Sequence, residues 1–471
     1  MPSPILLWFR RDLRLSDHPA LAAACASGQP VIPVAICDDQ TRALGCAPQW
    51  RLGQGLGHLA NQLQNRGSRL ILRRGDALEQ LRALMDETGA TSVFWTRSYD
   101  PAAIARDTQI KQTLRAQGKT ARSFGGHLMF EPWQVETKTG GYYRVFTPFW
   151  NAVKTRPVDT PLPAPASLCP PAIWPASDQL QDWALGAGMR RGAAILARHQ
   201  QLGEGAAQDR LAQFTDAIID GYADSRDCPA QDGTSRLSEN LALGEISPHQ
   251  CWHAGLRAHH EGKPGAEVFL KELAWREFAY HLMHHTPHIL HSNWKPDWDR
   301  FAWNQATDHP HVIAWQQART GVPFVDAALR EMYVTGKMHN RGRMIVASYL
   351  TKHLLTHWKI GMAWFNDCLT DWDPASNAMG WQWAAGSGPD ASPYFRIFNP
   401  ETQLHKFDPA RAYVRRWLAE GAAQPSPEAL SYFDAVPKSW GLSPQAAYPA
   451  PVVALAQGRA RALAAYEGRG F

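Results

Sequence analysis

Between Pro157 and Pro175 the chain reads PVDTPLPAPASLCPPAIWP, with seven prolines. Each proline fixes φ and removes a backbone donor, so this run is neither helix nor central strand. It reads as an extended connector, and it separates two stretches with different hydrophobic patterns. A chain of 471 residues is too long for one ordinary core, so two or three domains are expected. Before the prolines, short apolar runs at Ile5–Phe9, Val31–Cys37, Arg69–Arg73 and Ser92–Trp95 alternate with helical patterns such as Leu52–Gln64. That alternation implies βαβ units and a mainly parallel sheet. No GxGxxG follows the first run, which argues against a conventional dinucleotide site there. From roughly Asp178 onward the spacing is helical, at Gln208–Gly221, Ala266–His285, Phe324–Thr335 and His339–Trp358, and an all-helical second half is expected.

Composition narrows the classes. Hydrophobic residues at 45% and charged residues at 19% describe a soluble globular protein. A net charge of +5 is mild, and supports nucleic-acid binding only where the bases cluster. The seven cysteines are scattered with no CxxC spacing, which predicts reduced thiols and no zinc or other metal site. The start, MPSPILLWFRRDLRL, lacks the long apolar region of a signal peptide, and no window is long enough to span a bilayer, so a cytoplasmic protein is expected. Twenty tryptophans are many; indoles serve packing, base stacking or electron traffic, and the count does not choose between them.

Four stretches carry chemistry. Asp371 to Gln403 holds two spaced acids, Asp371 and Asp373, then Asn377, Trp381 and Trp383, and closes on YFRIFNP. Acids, an amide and indoles with small residues between them suit the lining of a flat, polar-edged ring; the plainer reading is a tryptophan-rich segment of a helical core. Gly233-Thr234-Ser235 precedes a helical run from Leu237, an arrangement that either binds an anion or simply caps the helix. In ELAWREF, Glu272, Trp275 and Arg276 share a helical face, as a pocket wall or a surface ion pair. In MHNRGRM, Asn340, Arg343 and Met344 share a face and Arg341 points elsewhere; alone, this is a solvated basic turn.

These stretches together resemble the DNA photolyase and cryptochrome family, and the likeness runs from LLWFRRDLRLSDHPAL to ARALAAYEGRGF. The resemblance implies an α/β fold: a Rossmann-like parallel-sheet antenna domain (1–130), an interdomain linker (131–200, proline-rich at 157–175) and an all-helical FAD-binding catalytic domain (201–471). It implies that Tyr222, Thr234, Ser235, Arg236, Leu237 and Ser238 hold the FAD phosphates. Arg276, Arg343, Asp371, Trp372 and Asp373 would meet the rest of the flavin, and Asn377 would sit by flavin N5. Glu272, Trp275, Asn340, Met344 and Trp383 would face the lesion. Arg226, Glu272, Arg341, Arg396 and Gln403 would face DNA, with Lys406 in the same basic rim. Trp381, Trp358 and Trp303 match the family's electron chain between the surface and the flavin, a relation no spacing rule reveals. Lys337 stands where the family usually has tryptophan.

The implied activity is light-driven splitting of cyclobutane pyrimidine dimers in DNA, by a monomer. Relatives that repair (6-4) photoproducts carry histidines at the Asn340 and Met344 positions, and plant cryptochromes carry aspartate at the Asn377 position. Both alternatives, a (6-4) photolyase and a blue-light receptor, are therefore disfavoured. A DNA-binding module with no redox role is the third alternative, and a yellow purified protein would exclude it. A second, antenna chromophore is also expected, methenyltetrahydrofolate in preference to a deazaflavin, although the acid that many folate-binding relatives carry after their SYD-like segment is not evident after Ser98-Tyr99-Asp100.

Overall fold

The computed structural model describes residues 2–471. Five strands, β1 (Ile5–Phe9), β2 (Val31–Cys37), β3 (Ile71–Arg74), β4 (Ser92–Thr96) and β5 (Thr120–Phe124), form an all-parallel sheet in the order β3-β2-β1-β4-β5. Every residue of β1 and β2 is buried. A parallel sheet covered on both faces needs strands that are apolar throughout, which is why those runs do not alternate. The edge strand β5, TARSF, leaves Thr120 and Arg122 exposed, so no apolar run marked it in the sequence. Helices α1 (Cys46–Gln64) and α2 (Pro101–Ala116) belong to this half. The strand order reverses between β1 and β4, and such a switch point opens a crevice at the carboxyl ends of the strands. Arg10, Arg11, Arg97, Tyr99 and His127 line that crevice.

The proline run is an ordered belt laid on the sheet domain. Val31 N–H donates to Cys169 O (2.9 Å) and Asp17 N–H donates to Leu162 O (2.7 Å). Leu168 is buried in the core between the sheet and α1. Upstream of the belt, helix α3 (Phe146–Val153) turns its buried aromatic face, Phe146, Phe149 and Trp150, toward the second half.

That half is built from helices, and a single β-bridge, Asn304 to Thr356, lies outside the sheet among the described residues. The helices that frame the site are α4 (Ser238–Leu243), α5 (Ala266–His285), α6 (Pro323–Thr335), α7 (Asn340–Ser348), α8 (Trp358–Cys368) and α9 (Pro374–Ala385). Two sequence expectations are corrected here. His339–Trp358 is not one helix: α7 ends at Ser348, a π-turn covers Tyr349–His353, and Leu355 takes a left-handed conformation (φ 47°) before α8 begins. Within that turn the Thr351 hydroxyl bonds back to Ala347 O (2.8 Å), a contact that bends helices. Likewise Gln208–Gly221 is the end of an α-helix, Gly203–Gln213, followed by a π-turn and a 3-10 turn.

The two halves pack directly. Arg51 of α1 is fully buried and reaches Glu245 Oε2 at 2.5 Å. Leu13 N–H donates to Leu243 O (3.1 Å). Gly244 closes α4 at φ 64°, and a Cβ there would fall inside the Arg11 carbonyl, so glycine is required on both counts. The β1 loop, Arg10 to Asp12, is thereby held against the helical half.

Candidate functional site

A cavity of about 760 Å³ opens between α4, α5, α7 and α9. It gathers four distant stretches onto one wall each. Tyr222, Arg226 and Thr234 to Ser238 come from the approach to α4; Glu272, Trp275 and Arg276 from α5; Asn340, Arg343 and Met344 from α7; and Asp371, Trp372, Asp373, Asn377, Trp381 and Trp383 from the α9 segment.

The approach to α4 is a built loop. Arg210 donates to Asp232 (2.9 Å) and to Ser235 O (2.9 Å), bracing it from beneath. Arg236 adopts a left-handed conformation (φ 52°) and Leu237 a right-handed one (φ −93°, ψ 0°). Successive residues of opposite hand turn their N–H groups into one concavity, which favours an anion. Since α4 is only six residues long, this nest, with the Thr234 and Ser235 hydroxyls, supplies more of the anion preference than the helix end does.

On α5, the Glu272 carboxylate accepts from Arg226 Nη1 at 2.5 Å, at the cavity mouth. The Trp275 indole lies flat on Phe146 (3.7 Å between centroids, 8° between planes). Arg276 donates to His127 O (2.9 Å). Opposite, Arg343 donates to Asp371 Oδ2 (2.7 Å), while Asp371 Oδ1 is buried with no partner. The Asn377 amide nitrogen donates to Met362 O (3.1 Å), which leaves its carbonyl oxygen for a ligand. Burial pushes the Asp373 carboxyl up, but Arg11 and Arg276 outweigh it and hold the group below the usual range, so it is ionised. His339, also in the lining, is pushed down to about 4, chiefly by burial, and is neutral.

Of the other expected residues, Trp303, Trp358, Arg341, Arg396 and Gln403 lie outside the lining, while Trp381 and Lys337 belong to it. Trp358 is fully buried and donates to Asn293 Oδ1 (2.8 Å). The His357 ring stands 5.4 Å from it and 5.2 Å from Trp303, so these two indoles share one histidine neighbour. Trp381 packs against α8 at Gly361, one turn beyond Trp358. Trp303, the third indole of this series, is only 5% exposed, because Trp298 stacks on it and Phe301 packs against it. Arg341 does not stand free for phosphate: it pairs with Asp227 (2.5 Å) and lies over the Phe407 ring. Arg396 is exposed, and Gln403 is half-buried with an unpaired side-chain oxygen. Lys337 turns inward to Glu239 (2.6 Å) and His199 O (2.9 Å), filling with an ion pair a place where an indole was expected.

Known proteins answer to the same features. The family model for DNA photolyase matches residues 5–166, and that for the FAD binding domain of DNA photolyase matches residues 269–468. A deoxyribodipyrimidine photo-lyase of Agrobacterium fabrum is 46% identical, with 98% of each chain covered. The chain belongs to the DNA photolyase family. Cryptochrome-1 of Arabidopsis thaliana, a more distant photolyase relative, is 33% identical over 97% of this chain and 69% of its own length. A crystal structure of a bacterial class III photolyase from Agrobacterium tumefaciens superposes with a TM-score of 0.91 at 45% identity, covering 99% of this chain and 98% of that one.

Within this photolyase-family site, sequence reasoning missed Phe146, the support under Trp275, and the pair His127 and Tyr280 behind Arg276 and Asp373. Phe146 lies in an apolar cluster, VFTPFW, which is the one signal that was available. His127 carries none, because its partners are more than a hundred residues away.

Proposed function

We propose that this chain is a light-driven lyase that splits cyclobutane pyrimidine dimers in DNA with FAD as cofactor. One observation carries the reading: a single cavity is lined both by the flavin-type residues (Asp371, Asp373, Arg343, Asn377) and by the lesion-type residues (Glu272, Trp275, Asn340, Met344).

The residues present fit the cofactor. The volume of about 760 Å³ lies in the upper part of the ~300–1,000 Å³ range of cofactor sites. The unpartnered Asp371 Oδ1 is a buried acceptor awaiting a donor. The nest at Arg236 and Leu237, with Tyr222, Thr234, Ser235 and Ser238, would take the diphosphate. Asp371, Trp372, Asp373, Arg276, Arg343 and Asn377 would hold the ring and ribityl end. When bound and reduced, FAD supplies on excitation the electron that opens the dimer's two carbon–carbon bonds and takes it back.

The protein's own part is positional. Trp275, fixed by Phe146, and Trp383 give the lesion apolar planes to stack on. Asn340 and Glu272 offer an amide and an acceptor to base edges, and Met344 fills the remaining space as a pliable apolar group. The Arg226–Glu272 pair must part for a lesion to pass, which frees Arg226 for phosphate. Arg396 and Gln403 extend the grip along the backbone, which Arg341 joins only by parting from Asp227, and flipping costs least where stacking is already damaged. Trp381, Trp358 and Trp303 would carry electrons inward to restore the reduced cofactor. Replacing Trp381 by phenylalanine should abolish light-driven reduction while sparing repair by chemically reduced protein.

Asn340 and Met344 favour this substrate over (6-4) photoproducts. The likeness to Cryptochrome-1 supports a receptor as a second reading, which Asn377 disfavours. For the expected antenna chromophore, methenyltetrahydrofolate or a deazaflavin, the β1/β4 crevice has about 30 Å³ and does not enclose either pigment, so no step is routed through it. A cytoplasmic monomer completes the proposal; no helix among the described residues is long and apolar enough to cross a membrane.

The deciding experiment illuminates FAD-loaded, reduced protein with an oligonucleotide bearing one cyclobutane dimer, beside one bearing a (6-4) product. Dimer loss in light alone, with the (6-4) strand intact, is expected. Both lesions surviving would overturn the assignment.

A further inference from the structure

Behind the cofactor wall, three contacts compete for one proton. His127 Nε2 lies 2.8 Å from the Tyr280 hydroxyl and 3.0 Å from Arg276 Nη2. The Tyr280 hydroxyl in turn donates to Asp373 Oδ2. All three groups behind the wall are enclosed: His127 is 8% exposed, Tyr280 2% and Asp373 8%. A missing partner at any of them is therefore costly.

The proton count does not close. Asp373 is ionised and only accepts, so the single Tyr280 proton is committed to it. Toward His127 the phenol oxygen then has lone pairs to offer, which calls for Nε2–H. Arg276 is all donor, so its contact calls for a bare Nε2. A doubly protonated imidazole would not help Arg276, and it is in any case disfavoured: burial, then Arg276 and Arg11, push His127 well below its ordinary range. The two contacts at Nε2 are mutually exclusive, and Arg276, whose side chain also lines the cavity, is the partner that can leave, by giving up its Nη1 bonds to His127 O (2.9 Å) and Glu277 Oε1 (3.3 Å) as well.

The geometry points to His127 and Tyr280 as positioning residues that form a tautomer-gated relay: when a cofactor draws Arg276 into the cavity, the His127 proton moves from Nδ1 to Nε2 and completes Nε2–H···Oη–H···Oδ2 to Asp373. Arg276 is thereby released and Asp373 is fixed in the same event. This rests on the flavin reading of the cavity. The relay also touches the β1/β4 crevice, which His127 and Tyr280 both line, so occupancy of the cavity is felt at the switch point of the sheet.

Nitrogen-15 NMR of histidine-labelled full-length protein reads which ring nitrogen carries the proton, and His127→Gln identifies the signal. Without FAD, the wild type should show Nε2 as a bare acceptor, and Arg276→Met should show Nε2–H. At saturating FAD the wild type should convert to Nε2–H. Tyr280→Phe, which removes the acceptor for that proton, should stay in the Nδ1–H form with FAD bound and bind FAD about tenfold more weakly. One tautomer in both wild-type states, or a normal conversion in Tyr280→Phe, would overturn the relay. Failure to bind FAD would instead remove the flavin reading, and the Arg276→Met comparison without cofactor would still judge the proton competition by itself.

Discussion

Lys352 ends inside the protein with no acid beside it; its ammonium donates to Arg396 O (3.0 Å) and lies over the Tyr394 ring. Burial, and then Arg396, lower it from 10.5 to about 7. A depressed folded value means that the fold disfavours the charged form. Stability is therefore greatest above the unfolded value, declines as pH falls from 10.5 toward 7, and is flat below. Lys352→Met carries no such titration. Its stability relative to wild type should rise by up to about 4 kcal/mol between pH 10 and pH 7, at roughly 1.4 kcal/mol per unit. Calorimetric unfolding at the two pH values measures this, and equal differences at both would refute it. The same lysine anchors the main chain of Arg396, so a residue that meets no ligand holds one that is proposed to meet DNA.

At the scale of elements, close approach of α8 and α9 sets where Trp381 sits. A Cβ on Gly361 would fall inside the Trp381 indole, so the helices meet as closely as they do only because that position is bare. Gly361→Val should cost about 1–3 kcal/mol, as overpacking does, and shift Trp381 fluorescence; urea titration and emission spectra would detect both. Such contacts explain what the sequence disclosed and what it hid. The apolar runs of β1, β2 and β4 were legible because strands buried on both faces have no polar alternative. Helix α5 was legible to the residue, Ala266–His285, and the shared faces of α5 and α7 follow from helical spacing alone. The break at Tyr349–His353 was not, because a hydroxyl's choice between solvent and Ala347 O is settled by packing. Trp303, Trp358 and Trp381 came only through family likeness, and the placement of Trp303 against His357 and Thr351 O shows why: the surroundings of an indole depend on neighbours far off in the chain. Arg341 was read as a free cation because its partner Asp227 belongs to another segment.

For the molecule as a whole, DNA affinity should reflect which cations are unengaged. Arg396 is exposed and forms no ion pair among the described residues, whereas Arg341 is already neutralised by Asp227. Arg396→Ala should flatten the slope of log K against log salt by about 0.9, the value for one phosphate contact. Arg341→Ala should change that slope less and thermal stability more. Filter-binding titrations across salt concentrations separate the two, and equal slope changes would show that Asp227 lets go on binding. The proline belt bears on the molecule in another way. Because it is stitched to the sheet domain, by Cys169 to β2 and by Leu162 to the loop after β1, while Ile173 stands 82% exposed, a protease nick at Ile173 would cut the covalent thread without loosening the cloth. Both fragments would travel together through a sizing column and separate only in denaturant, so the domains could be made as two polypeptides that find each other.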